Sequence, residues 1–198
     1  MALALAQRHG LRVYSLDQNE RARFARVTRA RQPNLYAFDQ MSMDERWVLR
    51  SPATMAAHTI TNGAEGFSLI VEDVLALLAA SNVPPVLVEG PWLFPDSVTP
   101  VLSSPRQAIW LLPTEAFKRA SAARRDKPSV RHETSDPARA TRNWLARDRL
   151  IAAHVQREVE QHRLPWLAVD GTRPLEEMTA LVAAHFAPLL PPARDHAC

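Results

Sequence analysis

Residues 85–95 read PVLVEGPWLFP, and Val86, Leu87 and Val88 form a short apolar run that stops at Glu89-Gly90-Pro91. A β-branched run closed off by Gly and Pro predicts a strand buried in a parallel sheet. Such a strand delivers the acid that follows it to the carboxyl edge of the sheet, where ligands of open α/β folds bind. Glu89 is therefore a candidate for handling a metal or a proton.

Working outward, strands and helices alternate. Residues 1–9 read as a helix closed by Gly10, and 11–16 (LRVYSL) as a strand ending at Asp17. An arginine-rich polar stretch follows, with Arg21, Arg23, Arg26, Arg29 and Arg31. Ser51-Pro52 is an N-cap with Pro at the first helical position. Residues 66–80 have helical apolar spacing. Beyond the 85–95 stretch, 107–112 (QAIWLL) predicts a strand, and Pro113-Thr114-Glu115 opens a helix towards Ala123. Residues 124–138 read as a loop, 141–162 as a long helix, 164–169 as a strand with the turn Asp170-Gly171-Thr172, and 174–186 as a last helix. Alternation of this kind implies a parallel sheet covered on both faces, an α/β fold.

The 198 residues are 46% hydrophobic and 23% charged, enough for one domain with a core. No apolar run is long enough to cross a bilayer, and the opening residues lack the flanks of a signal peptide. The single cysteine, Cys198, cannot close an internal disulfide, so a cytoplasmic location is the default expectation. Between Lys118 and Arg149 ten basic residues face four acids, so this segment carries +6 within a chain of net charge +3. A basic segment on an acidic body points to a local anion site. Nucleic acid is the rival partner, but no nucleic-acid motif and no aromatic-basic interleaving accompany the charge.

In this order the parts resemble the small P-loop kinases, adenylate-kinase-like and nucleoside-kinase-like. The resemblance rests on Asp17 after an early strand, Glu89-Gly90 after the next, and the strand before Pro113-Thr114. It continues through the arginine-rich segment, Arg142-Asn143 and Arg147-Asp148 on a helix, and Val169-Asp170-Gly171. It covers nearly the whole chain as a single domain, with 18–50 as the acceptor-binding region and 124–140 as the lid. The motif G-x-x-x-x-G-K-[ST], which cradles phosphates and holds Mg²⁺, is absent. The resemblance thus implies a three-layer α/β/α parallel sheet of order 2-3-1-4-5 whose first strand and phosphate loop would precede residue 1. Without that strand, the strands ending at Glu89 and Leu112 would flank a gap of roughly 10 Å, and the first helix would have nothing to pack on.

The resemblance also implies site roles. Glu89 would organise Mg²⁺ through water or orient the acceptor hydroxyl; otherwise it is a strand-end acid paired with an arginine. Asp17 would meet the acceptor as base or hydrogen-bond acceptor; otherwise it is a turn or cap residue. Arg124 and Arg125 would fold over the transferring phosphate, joined by Arg142 and Arg147, or else form a solvated basic face. Asp170, Gly171 and Thr172 would receive the adenine of ATP. The seven histidines show no metal-binding spacing, and no G-x-S-x-G elbow occurs. The five tryptophans are expected in the core or a pocket wall. The expected activity is phosphoryl transfer from ATP to a small hydroxyl or phosphate acceptor once a phosphate loop is present. The alternatives are a non-catalytic binding or regulatory module and, third, non-specific nucleic-acid binding by the basic segment.

Overall fold

The computed structural model describes residues 1–79, 84–124 and 133–193. Helix α1 (Ala2–His9) ends at Gly10, whose φ of 66° makes a left-handed cap. Strand β1 (Arg12–Ser15) follows, then three short helices, α2 (Glu20–Phe24), α3 (Pro33–Asp39) and α4 (Met43–Trp47). Helix α5 (Pro52–Leu78) leads to β2 (Val86–Glu89), the short α6 (Pro95–Val98) and two single 3₁₀ turns. Then come β3 (Trp110–Pro113), α7 (Glu115–Ala123), α8 (Pro137–Gln161), β4 (Trp166–Val169) and α9 (Leu175–Phe186).

The class is α/β, as expected. The four described strands form two separate parallel pairs, β1 with β2 and β3 with β4. In the first pair Ser15 lies opposite Glu89, and in the second Pro113 lies opposite Val169. The ladder bonds fix which edges are used. Arg12 N–H donates to Pro85 O (3.0 Å) and Leu16 N–H to Glu89 O (2.9 Å). By the alternation of a parallel ladder, the backbone groups of Val86 and Val88 then point to the other edge of β2, where no described strand pairs with them. On β3, Trp110 and Thr114 bond towards β4, so Leu111 faces the open side. The sequence predicts a fully buried β2. All four of its residues are instead half-buried, because β2 has a ladder partner on one edge only.

Two long helices carry the packing. α5 and α8 lie along each other. α5 is one helix of 27 residues where the sequence suggests a start at Pro52 and a separate helical stretch from Gly66. Gly63 and Gly66 do not break it; they admit the loop after β2. A Cβ at Gly63 would sit 2.4 Å from Phe94 Cε2, and one at Gly66 3.6 Å from the Trp92 ring. α8 starts at Pro137, earlier than expected, because the Asp136 carboxylate accepts from Arg139 N–H at 2.9 Å.

One core cluster joins Phe94, Val98 and Trp110 to Val155, Val159 and Leu164; a second joins Tyr14, Leu16 and Ile70. Phe67, Trp92 and Leu93 pack against both and so connect the two strand pairs. α1 does find partners: it packs on β1, β2 and α9, burying Leu5 and Ala6. Arginines of the stretch after β1 dock it onto α5, Arg26 to Asp73 at 2.6 Å and Arg31 to Glu72 at 2.6 Å. Among the described residues no helix is long and apolar enough to cross a membrane.

Candidate functional site

The carboxyl edge of β1 and β2 gathers three acids. Glu89 closes β2, and Asp17 lies two residues beyond Ser15, its ladder partner. Gly90 lets the chains approach: its φ is 136°, and a Cβ there would lie 2.6 Å from Leu16 Cβ. Glu20, at the start of α2, is the third acid. Burial pushes its carboxyl above the usual range, helped by the charge of Asp17 and opposed by Arg23 and Arg46. The Glu89 side chain is half-buried and makes no hydrogen bond or ion pair with another described residue. The bland expectation of an arginine partner for it is not met there. Trp92, two residues past Gly90, holds φ 73°, a costly conformation for a bulky side chain. It is wedged against α5, with its ring 5.8 Å from that of Phe24 and tilted to it by 50°.

A cationic wall stands on α4 and α8. A capping box at Ser42 and Glu45 starts α4, with the Glu45 carboxylate accepting from Ser42 N–H at 2.8 Å. Asn143 on α8 donates to Trp47 O at 3.0 Å, tying the end of α4 to α8. This docking places Arg147 over the Trp47 ring at 4.8 Å. Arg46 and Arg50 lie over Phe38 at 4.8 and 5.7 Å. Burial, then repulsion from Arg46 and Arg147, draws the Arg50 pKa below its ordinary value.

The second strand pair ends differently. Thr114 caps α7 by accepting from Phe117 N–H at 3.3 Å. Asp170 accepts from Thr172 N–H and Oγ1 at 2.9 and 2.7 Å, which lowers its pKa. Gly171 has φ 86°, and a Cβ there would meet Phe117 at 2.7 Å. A shallow groove of about 420 Å³ lies between Phe117, Ala120, Arg124, Asp170 and Gly171.

The sequence candidates therefore divide. Asp17 and Glu89 share one edge. Arg124 lies exposed in the groove with Asp170 and Gly171. Arg147 belongs to the cationic wall, with Nε and Nη2 both donating to Asp148 Oδ1 at 2.9 and 2.6 Å. Arg142 is exposed on α8. Arg125 and much of the 124–140 lid lie outside the described residues. Sequence reasoning did not single out Arg46, Arg50 or Glu20. The S-x-x-E box at Ser42 is the signal that would have revealed α4 and put Arg46 on it, with Arg50 just beyond its end.

Among the described residues no group of three His, Cys, Asp or Glu side chains could hold a metal. A half-buried carboxylate without a partner does fit Mg²⁺, which takes one or two carboxylates and keeps several waters. Glu89, with Asp17 on the same strand edge, would hold such an ion.

No family model matches the chain, and neither a curated protein nor a solved structure matches it.

Proposed function

We propose that this chain is the body of a small-molecule phosphotransferase of the P-loop kinase type, moving the γ-phosphoryl of ATP to a hydroxyl or phosphate acceptor. On this reading the two strand pairs would be the outer strands of a three-layer α/β/α arrangement, with the central strand and phosphate loop between them. The observation that carries this reading is the split of the described strands into two parallel pairs, with the Glu89 carboxylate at the end of β2 free of partners among the described residues.

The chemistry follows from the residues at that edge. Mg²⁺ held near Glu89 would neutralise phosphate charge. Asp17 would accept the proton or hydrogen bond of the acceptor hydroxyl. Arg124, Arg125, Arg142 and Arg147 would meet charge on the transferring group, and the 170–172 turn with Phe117 would take the adenine. A second reading is a non-catalytic binding module, favoured by the lack of a glycine-rich N–H cradle in residues 1–198.

The test has two arms. Calorimetry on this chain should show only weak ATP-Mg²⁺ binding; micromolar affinity would mean that the nucleotide site is misplaced. A form carrying a strand and G-x-x-x-x-G-K-[ST] loop before residue 1 should transfer labelled γ-phosphate to nucleosides or nucleoside monophosphates, and Glu89→Gln should abolish it. Tight nucleotide binding without transfer to any acceptor favours the binding module.

A further inference from the structure

We propose that the wall between α4 and α8, where Arg46, Arg50 and Arg147 meet over Phe38 and Trp47, binds the phosphate group of a small phosphorylated ligand. The inference stands without the phosphotransferase reading, since it requires neither ATP nor a phosphate loop.

The guanidinium planes are fixed mostly by backbone carbonyls. Arg46 donates Nε to Met41 O (3.0 Å) and Nη2 to Asp39 O (2.6 Å). Arg50 donates Nε to Glu45 O (2.8 Å) and Nη2 to Arg46 O (3.3 Å). A carbonyl orients a guanidinium without cancelling its charge. The rings beneath add orientation in the same way, through their negative faces. The result is a set of cations whose positions are set before a ligand arrives, which lowers the ordering cost of binding.

The charge is not balanced locally. Arg147 has Asp148, but that carboxylate also takes Lys118 at 2.8 Å. Among the described residues Arg46 has only Asp39 at 3.7 Å, with Glu20 acting on it from further away. Arg50 has no carboxylate within ion-pair distance among the described residues; Glu45 is turned to its cap, and Arg50 Nη1 sits 2.7 Å from His58 Nδ1 instead. Three partly buried cations held close together repel one another, and a bound anion offsets that cost. The Nη1 groups of Arg46 and Arg147 have no partner among the described residues, leaving charged N–H donors of the kind that phosphate oxygens accept from.

The probe is inorganic phosphate, titrated into the whole chain at constant ionic strength with chloride as the exchanged anion, and followed by calorimetry and by Tm. Saturable binding and a rise in Tm are expected. Arg50→Gln should weaken the affinity about 10-fold or more, and Arg50→Lys, which keeps the charge but loses the carbonyl contacts that orient the guanidinium, should fall between. Arg149→Gln, exposed on the same α8 helix, should leave affinity unchanged. The inference is overturned if chloride and phosphate act alike. It is also overturned if Arg149→Gln weakens binding as much as Arg50→Lys, which would mark a diffuse basic field such as nucleic acid uses.

Discussion

The two strand pairs are built alike and end unlike. Each has two parallel strands of four residues, and each ends at a turn with a glycine at positive φ. At the end of β3 and β4 the polar side chains serve their own backbone: Thr114 caps α7, and Asp170 closes its turn on Thr172. At the end of β1 and β2 the Glu89 carboxylate serves no described residue, and Asp17 and Glu20 crowd the same edge. A polar group already satisfied by a cap has little left for a ligand, whereas a half-buried carboxylate without a partner is a cost that function can explain. The first pair is thus where chemistry is expected, and the second supplies shape.

Several substitutions can break that contrast. The largest effect is expected at Gly63, where the loop after β2 presses on α5. Gly63→Ala drives a methyl into the Phe94 ring and should cost about 3 kcal/mol in urea unfolding. A cost near zero would mean that the loop is not held against α5, and that Glu89 is not fixed at the edge.

A pH-dependent effect comes next. Glu158 on α8 is 6% exposed, and burial together with Asp96 raises its carboxyl to about 7. His162 contacts Asp96 at 2.8 Å, while burial and Arg157 lower the pKa of His154 beside it. The folded pKa of Glu158 exceeds the usual 4.5, so its contribution is full below pH 4.5 and is lost as pH rises through 7. Glu158→Gln should therefore stabilise the protein by on the order of 1 kcal/mol at pH 8 and by almost nothing at pH 5. His154 acts in the opposite sense, since its neutral form is favoured, and Glu158→Gln leaves that part of the profile in place. Equal Tm changes at the two pH values would show that Glu158 is not protonated in the fold.

The two pair ends can be compared directly. Thr114→Ala removes a cap and should cost about 1 kcal/mol. Glu89→Gln removes a carboxylate that holds nothing and should change stability by less than about 0.5 kcal/mol. Thermal melts of both variants settle the comparison. If Glu89→Gln costs as much as Thr114→Ala, Glu89 is a structural acid and the contrast fails.

Much of the element order was legible. Gly10, Ser51-Pro52 and Thr114 mark termini by local chemistry, and each acts as a cap in the structure. The class was legible for the same reason, since alternation of short apolar runs with helical spacing admits few arrangements. The short helices between residues 20 and 47 were not read, because their arginines hide the pattern behind charge. The capping box at Ser42 was the available local signal, and it is visible only when that polar stretch is searched for caps.

The sequence by itself determined the four strands, the order of the longer helices and the acids that close β1 and β2, because caps, turns and apolar periodicity act over a few residues. Tertiary structure decided the rest. Whether Glu89 has a partner depends on residues distant in sequence. So does the gathering of Arg46 and Arg50 with Arg147, which needs α4 docked on α8 through Asn143. Gly63 and Gly66 sit inside one helix, where Phe94 and Trp92 pack in the space their side chains would take. Propensity is a weak local term, and close packing between distant segments outweighs it.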